Sequence, residues 1–313
     1  MKKTLIALAA VAVSGAAFAQ ATITGGFAYG YQTAKNAAGV TTSGLGMDTA
    51  AITISASEDL GGGLKAAGSM SVGGLARGAT VGGENMSLSL SGGFGSVMMG
   101  AVESGSGIRP LGSAGAPVTN MEGEVLSGAV NIDIVKYTFP KMGDFTFSVN
   151  TVDQTGTGLG VGRSSGNTTS VGAGVNYASG ALAVAADYTD WNSNAAYPTP
   201  DNRVRLSAKY DLGVAAVGAG WDSRNHVGAG TNVQTIVGVS VPMGALTLGA
   251  VVVSNDTKNH ATAANNVKKT GNSLGLSYAL SKRTSVTAST ARWKSAAGAA
   301  TESSTTVLVN HSF

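Results

Sequence analysis

Thr305-Thr306-Val307-Leu308-Val309-Asn310-His311-Ser312-Phe313 is the stretch whose reading decides the fold. Taken by twos, Thr305, Val307, Val309, His311 and Phe313 fall on one side, and Thr306, Leu308, Asn310 and Ser312 on the other. That is the two-residue period of a strand, with one face polar toward its C-terminal end. The stretch stops on an aromatic residue with no tail behind it, an awkward ending for a strand in water. A membrane barrel gives such a ring a place in the interfacial girdle and pairs the backbone on both edges. An ordinary C-terminal strand of a soluble sheet is the alternative, and the rest of the chain must decide between them.

At the other end, Lys2 and Lys3 precede an apolar run from Leu5 to Val13 and the small-residue site Ala17-Phe18-Ala19. This is the pattern of a cleaved Sec-type signal peptide over residues 1–19, too short to cross a bilayer as a helix. Residues 20–313 then form a single domain and hold no apolar run of 18 residues. The absence of Cys removes disulfide staples, thiolate metal sites and thiol nucleophiles. Charged residues make up 12% of the chain, about half the share of ordinary soluble proteins. Forty-six glycines against 6 prolines suit many small-residue strands joined by tight turns, not a disordered or collagen-like chain. Without Lys2 and Lys3, the 20 basic residues fall to 18 against 17 acidic ones. No basic block of the kind that holds nucleic acid is present.

Alternation recurs along the whole chain. Met86, Leu88 and Leu90 oppose Ser87, Ser89 and Ser91; Val204, Leu206, Ala208 and Tyr210 oppose Arg203, Arg205, Ser207 and Lys209. Short turns fall near 59–63, 92–95, 140–143, 178–180, 211–213, 242–244 and 281–283, all but the last containing Gly, and longer polar loops lie between them. Seven short turns and eight longer loops imply about sixteen strands with both ends on the short-turn side. The pattern predicts an all-β transmembrane antiparallel barrel with short periplasmic turns and long extracellular loops. The first of those loops is expected over about 33–46, and another around His226. The longest unpatterned stretch, 103–130, is of a length usually reserved for function. Tyr137, Phe139, Tyr177, Tyr188, Tyr210, Tyr278 and Phe313 fall near strand ends, where girdles require aromatics. A sixteen-strand soluble sandwich would also alternate, but its outer face would need more charge than 12% supplies.

Several landmarks, spread in order over nearly the whole chain, resemble those of the Gram-negative trimeric general porins of the β-proteobacterial type. They are the signal run, Ser57-Glu58-Asp59-Leu60-Gly61-Gly62-Gly63-Leu64-Lys65-Ala66 and Gly92-Gly93-Phe94-Gly95-Ser96-Val97. Tyr137-Thr138-Phe139-Pro140-Lys141-Met142-Gly143, Leu280-Ser281-Lys282-Arg283-Thr284 and Asn310-His311-Ser312-Phe313 complete the set. The resemblance implies sixteen strands, a homotrimer, and a third extracellular loop, here 103–130, folded into the lumen as a constriction. It implies passive diffusion of small hydrophilic solutes and inorganic ions through a water-filled pore. Outer-membrane lipid, lipopolysaccharide and the barrel assembly machinery are the expected partners, with no cofactor. Porins of this type carry an Arg before the fourth strand and Gly-Arg-Gln at the end of the fifth. Here those places read Glu84 and Gly100-Ala101-Val102, so part of the usual basic side of the eyelet is missing.

If the apolar faces meet lipid, the opposite faces meet water. That places Lys65, Lys136, Asp187, Arg205 and Lys209 in the lumen and Arg203 near the outer mouth. The loop adds Glu103, Arg109, Glu122 and Glu124, and carboxylates facing wall cations would set up a field across the pore. Wall cations outnumber wall acids, which predicts a weak anion preference. Phe313 with Val307 and Val309 forms an outward face expected to act as an assembly signal. A substrate-specific barrel channel is the alternative within the fold, and an outer-membrane adhesin or structural barrel outside it. An enzyme fits poorly. His226, His260 and His311 sit beside no catalytic motif, and there is neither a Gly-x-Ser-x-Gly elbow nor a His-Glu-x-x-His pair.

Overall fold

The computed structural model describes residues 20–153, 169–191, 200–226, 230–260 and 262–313. The segment expected as signal peptide, 1–19, lies outside them, as do most of the loops at 154–168 and 192–199. Sixteen strands run in order: β1 (Gln20–Lys35), β2 (Thr41–Gly61), β3 (Leu64–Gly73), β4 (Gly82–Gly92), β5 (Gly95–Ser104), β6 (Val130–Thr138), β7 (Phe145–Asp153) and β8 (Ser170–Ser179). They continue as β9 (Leu182–Asp190), β10 (Asn202–Asp211), β11 (Ala216–His226), β12 (Gly230–Met243), β13 (Leu246–Lys258), β14 (Lys268–Ala279), β15 (Thr284–Lys294) and β16 (Glu302–Ser312). Each pairs antiparallel with its chain neighbours, and β16 pairs with β1, so the sheet closes into a barrel.

The seam is the stretch that opened the sequence reading. Val309 stands opposite Tyr29 and Val307 opposite Tyr31. Beyond Ser312 the ladder gains one more rung. The Phe313 amide donates to the Gly25 carbonyl at 3.0 Å, and the Gly25 amide donates to the Phe313 oxygen at 3.1 Å. The phenyl ring of Phe313 covers Gly25, where an added Cβ would strike it. Closure leaves no unpaired edge, the condition for a sheet to stand in hydrocarbon.

The distribution of side chains is inverted relative to a soluble domain. Val237, Val252 and Leu274 stand 60%, 63% and 55% exposed on the outside, while Gln234, Asp222 and Ser273 are fully buried on the inside. An exterior of aliphatic residues and a polar interior is what a lipid-facing barrel requires. Aromatic contacts mark the short-turn rim. Tyr137 meets Phe139 edge-on at 4.7 Å between centroids, and Phe145 lies 4.9 Å from Tyr177. Tight reversals there rest on glycine; Gly62 and Gly63, between β2 and β3, adopt φ of 62° and 80°.

Two loops are shorter than the sequence pattern implies. The expected loop at 33–46 shrinks to residues 36–40, because β1 runs to Lys35 and β2 starts at Thr41. His226, expected in a loop, ends β11 and pairs with Gly230. The reason is physical: above the bilayer both strand faces meet water, so alternation fades while the backbone ladder continues. The stretch 103–130 also trims to residues 105–129 between β5 and β6. This segment turns inward, makes one helical turn α1 (Arg109–Gly112), and packs on the inner wall. Ile108, Met121, Val125 and Leu126 of the loop form a buried cluster with Ile236, Val251, Val253 and Ala291 of β12, β13 and β15. The molecule's apolar core is therefore the seat of a loop, not the space between two layers.

Candidate pore constriction

The seat is carved by glycine. Alternation along β11 puts Ala216, Gly218, Gly220 and Asp222 inward, all but flush with the wall, and Val217 and Trp221 outward. A Cβ on Gly220 would come within 2.7 Å of Ile108 Cβ, and one on Gly238 within 2.6 Å of the Ser113 backbone. Gly218, Gly249, Gly271 and Gly275 meet the loop just as closely. No larger residue at these places leaves room for the chain that lies across them.

Polar contacts fix the loop's path on each wall strand in turn. Ser240 Oγ donates to Ala114 O at 2.8 Å, Asn255 Nδ2 donates to Val125 O at 2.8 Å, and the Thr119 amide donates to Ser273 Oγ at 3.1 Å. Thr119 Oγ1 also meets Ser289 Oγ at 2.8 Å. At the loop's return, Ser127 is held from three sides. Its amide donates to Gln234 Oε1 at 2.9 Å, while Gln234 Nε2 and Arg224 Nη1 donate to its hydroxyl at 2.7 and 2.9 Å. Arg224 is in turn bound to the buried Asp222, Nη2 to Oδ2 at 3.0 Å. A carboxylate with no solvent exposure needs such a partner, since an unpaired buried charge costs several kcal/mol.

Between the loop and the wall of β6 to β11 lies a cavity of about 630 Å³. Lys136, Asp187, Arg203, Arg205 and Arg224 line it, with Ser104 at the end of β5 and loop residues Gly105, Gly107, Ser127 and Gly128. Arg205 Nε donates to both oxygens of Asp187, at 2.8 and 2.9 Å, and its guanidinium lies directly against Gly107 of the loop. Arg203 lies 5.2 Å from the ring centre of Trp191, and its Nε is buried with no hydrogen-bond partner. Four cations thus face one carboxylate, with Asp222 behind. The opposite wall presents mainly hydroxyls, with Lys65 and Asp59 at its short-turn end. Its inward positions include Thr22, Ser55, Ser69, Ser87 and Ser89; Ser69 and Ser87 bond to each other at 3.0 Å, and Ser89 Oγ donates to Ala67 O at 3.3 Å.

The structure brings Lys136, Asp187, Arg203 and Arg205 of the expected set together. The others lie elsewhere. Lys209 is inward on β10 but four pairs nearer the short-turn rim than Arg205, opposite Gly218 and Ala183. Lys65 sits one residue past the β2–β3 turn, opposite Ser91, at that same rim. Glu103 departs from the expectation: Ser104 lines the cavity, so its neighbour on β5 faces outward, with its amide held by Asn85 Oδ1. Glu122 does not oppose a wall cation either. It accepts from the Ser106 amide at 2.7 Å, from Asn120 Nδ2 at 2.8 Å and from Arg109 Nε at 3.3 Å, all within the loop. Three donors on one carboxylate brace the loop, so Arg109 and Glu122 neutralise each other. Glu124 has one carboxylate oxygen buried without a partner. Arg224, Asp222, Gln234 and Trp191 were not anticipated. The sequence signal for the first two was available: the inward register Gly218, Gly220 continues through Asp222 to Arg224.

A family model described as Gram-negative porin matches residues 4–297. Among solved structures, the anion-selective porin from Comamonas acidovorans is similar at 21% identity and TM-score 0.72, with 94% of this chain and all of that chain covered. A mutant of the Rh. blastica porin aligns at 17% identity and TM-score 0.65, covering 94% of this chain and all of that one. A loop-deletion mutant of OmpT, an outer membrane protein of Vibrio cholerae, aligns at 14% identity and TM-score 0.67, covering 94% and 99%. No curated protein sequence matches the chain. The closed sixteen-strand barrel, the loop seated in its lumen and the match over nearly the whole length agree: the chain belongs to the Gram-negative porin family.

Proposed function

We propose that this outer-membrane channel passes small hydrophilic solutes and inorganic ions by passive diffusion, with a weak preference for anions. The observation that carries the preference is the cavity's charge: Lys136, Arg203, Arg205 and Arg224 against Asp187, with Asp222 buried behind. Fixed charges beside a water-filled path raise the local concentration of the opposite ion without closing the path to the other. The similar Comamonas acidovorans structure is named an anion-selective porin, in keeping with this reading. Lys136, Arg203, Arg205 and Asp187 are assigned the main share of the field, Lys65 and Lys209 a weaker one at the periplasmic vestibule. The Arg109–Glu122 pair braces the loop, and Glu124 adds a further carboxylate to it. No catalytic step and no cofactor are assigned.

The chain is read as a homotrimer exported with a cleaved signal peptide over residues 1–19. Insertion by the barrel assembly machinery would use the outward row Val307, Val309 and Phe313, exposed by 44%, 48% and 48%. Zero-current potentials across a planar bilayer with a salt gradient test the selectivity. A potential of the sign set by chloride is expected; a cation-dominated one would overturn the assignment.

A further inference from the structure

Three arginines stand together on the cavity wall, and two of them are answered by a carboxylate. Arg203 and Arg205 line the cavity from β10, and Arg224 stands opposite Arg203 on β11. Arg205 Nε is bound to Asp187 at 2.8 Å, and Arg224 Nη2 to Asp222 at 3.0 Å. Among the described residues no carboxylate pairs with Arg203, and its Nε is buried without a hydrogen-bond partner. What holds it is a ring: the guanidinium carbon lies 5.2 Å from the centre of Trp191.

The register gives Arg203 two directions, and the indole decides between them. Arg203 stands opposite Thr189 of β9, and the inward positions on either side of Thr189 are Asp187 and Trp191. Both are its diagonal neighbours, about 7–8 Å away across the sheet and within reach of a long side chain. Asp201, whose carbonyl accepts the Trp191 amide at 2.9 Å, lies two residues before Arg203 and offers a second carboxylate. Between Arg224 and Arg205, a guanidinium gains from any acid it can reach. It lies on the indole instead. Trp191 is only 4% exposed, and its own Nε1 is buried without a partner, so the residue contributes its ring face and not its N–H. A carboxylate fixes an arginine by cancelling its charge, whereas a ring face fixes it and leaves the charge standing.

We propose that Trp191 is a positioning residue for ion selectivity: its ring holds Arg203 on the long-loop side of the cavity, away from Asp187 and Asp201. The inference rests on the anion-preference reading and names the neutral side chain that sustains it. Without the ring, Arg203 turns to one of the two carboxylates. Its charge then moves about two residues along the strands, about 7 Å, and is paired where it arrives. A unit charge about 7 Å from the path, at about 0.1 M salt, is worth about threefold in the permeability ratio. Withdrawal to twice that distance forfeits about half of the free energy, so loss of the ring costs about 1.7-fold. A substitution that changes no charge thus shifts the ratio toward cations.

The test is a double-mutant cycle on the folded full-length barrel, read as zero-current potentials near 0.1 M salt. Trp191→Leu should lower the anion-to-cation permeability ratio by about 1.7-fold and Arg203→Gln by about threefold. The double variant should match Arg203→Gln alone, and Trp191→Phe, which keeps a ring face, should stay near wild type. An unchanged ratio in Trp191→Leu overturns the proposal. So does a Trp191→Leu effect of the same size when Arg203 is already Gln, because the ring then acts by shaping the pore. A Trp191→Phe channel as altered as Trp191→Leu overturns it too, by excluding the ring face. If Trp191→Leu yields no heat-modifiable folded protein, Trp191→Met, long and apolar but without a ring, takes its place in the cycle. A cation-preferring wild type would defeat the anion-preference reading, whereas failure of the clamp shows only in the comparison among variants.

Discussion

Asp187→Asn removes the carboxylate that faces the cavity while keeping the volume and an acceptor for Arg205, whose Nε contacts both Asp187 oxygens within 2.9 Å. An ion passing about 7 Å away in water feels about 0.6 kcal/mol from one unit charge. At about 0.1 M salt the Debye length is about 10 Å, which halves the effect to about 0.3 kcal/mol. Anion and cation feel it with opposite sign, so their permeability ratio shifts by about 0.6 kcal/mol, or about threefold toward anions. The assay is the zero-current potential across a bilayer under a salt gradient, taken near 0.1 M and again near 1 M. At about 1 M the Debye length falls to about 3 Å and the shift should nearly vanish. A ratio that stays put at low salt, or moves toward cations, would refute the claim that this carboxylate borders the ion path. A shift of equal size at both salts would mean that the substitution acts by reshaping the pore and not by its field.

Other substitutions separate neighbouring roles. Arg205→Glu should shift selectivity toward cations by more than Lys209→Glu, because Arg205 lines the cavity and Lys209 lies four residue pairs below it; equal shifts would place the narrow zone lower in the barrel. Gln234→Ala leaves the Ser127 amide without its acceptor at a cost of about 1–3 kcal/mol, so the loop should fluctuate and open-channel current noise should rise; a silent trace would deny this latch a role. Removing Phe313 takes away the rung to Gly25 and the ring over it. The yield of heat-modifiable, folded protein should fall severalfold while conductance per inserted pore stays the same, and a normal yield would leave the ring as one more girdle aromatic.

The barrel was legible because lipid enforces alternation on every strand between the two rims. Ser87, Ser89 and Ser91 against Met86, Leu88 and Leu90 is a pattern written by solvent on one side and hydrocarbon on the other. Beyond the bilayer that pressure ends, which is why β1 and β2 run on through the stretch at 33–46 that the pattern assigns to a loop. The lumenal cations on β6 and β10 followed from parity alone. The loop's carboxylates did not, because partners inside an irregular segment depend on a path that no periodicity encodes. Glu122 braces Ser106, Asn120 and Arg109 through a fold of the loop that only three dimensions reveal. The seat was hidden for a different reason: Gly218, Gly220 and Gly238 read in sequence as weak strand residues, and their use appears only when Ile108 and Ser113 lie on them.

That seat divides the labour of the barrel unequally. The loop's apolar anchors and tie-points fall mainly on β11 to β15, whereas the hydrogen-bonded serines and threonines of β2, β3 and β4 find their partners on their own or adjacent strands and not on the loop. A change in pore width or lining on that bare wall disturbs neither the core nor the loop. Lineages of this protein are therefore free to retune what passes through the channel without renegotiating what keeps it folded.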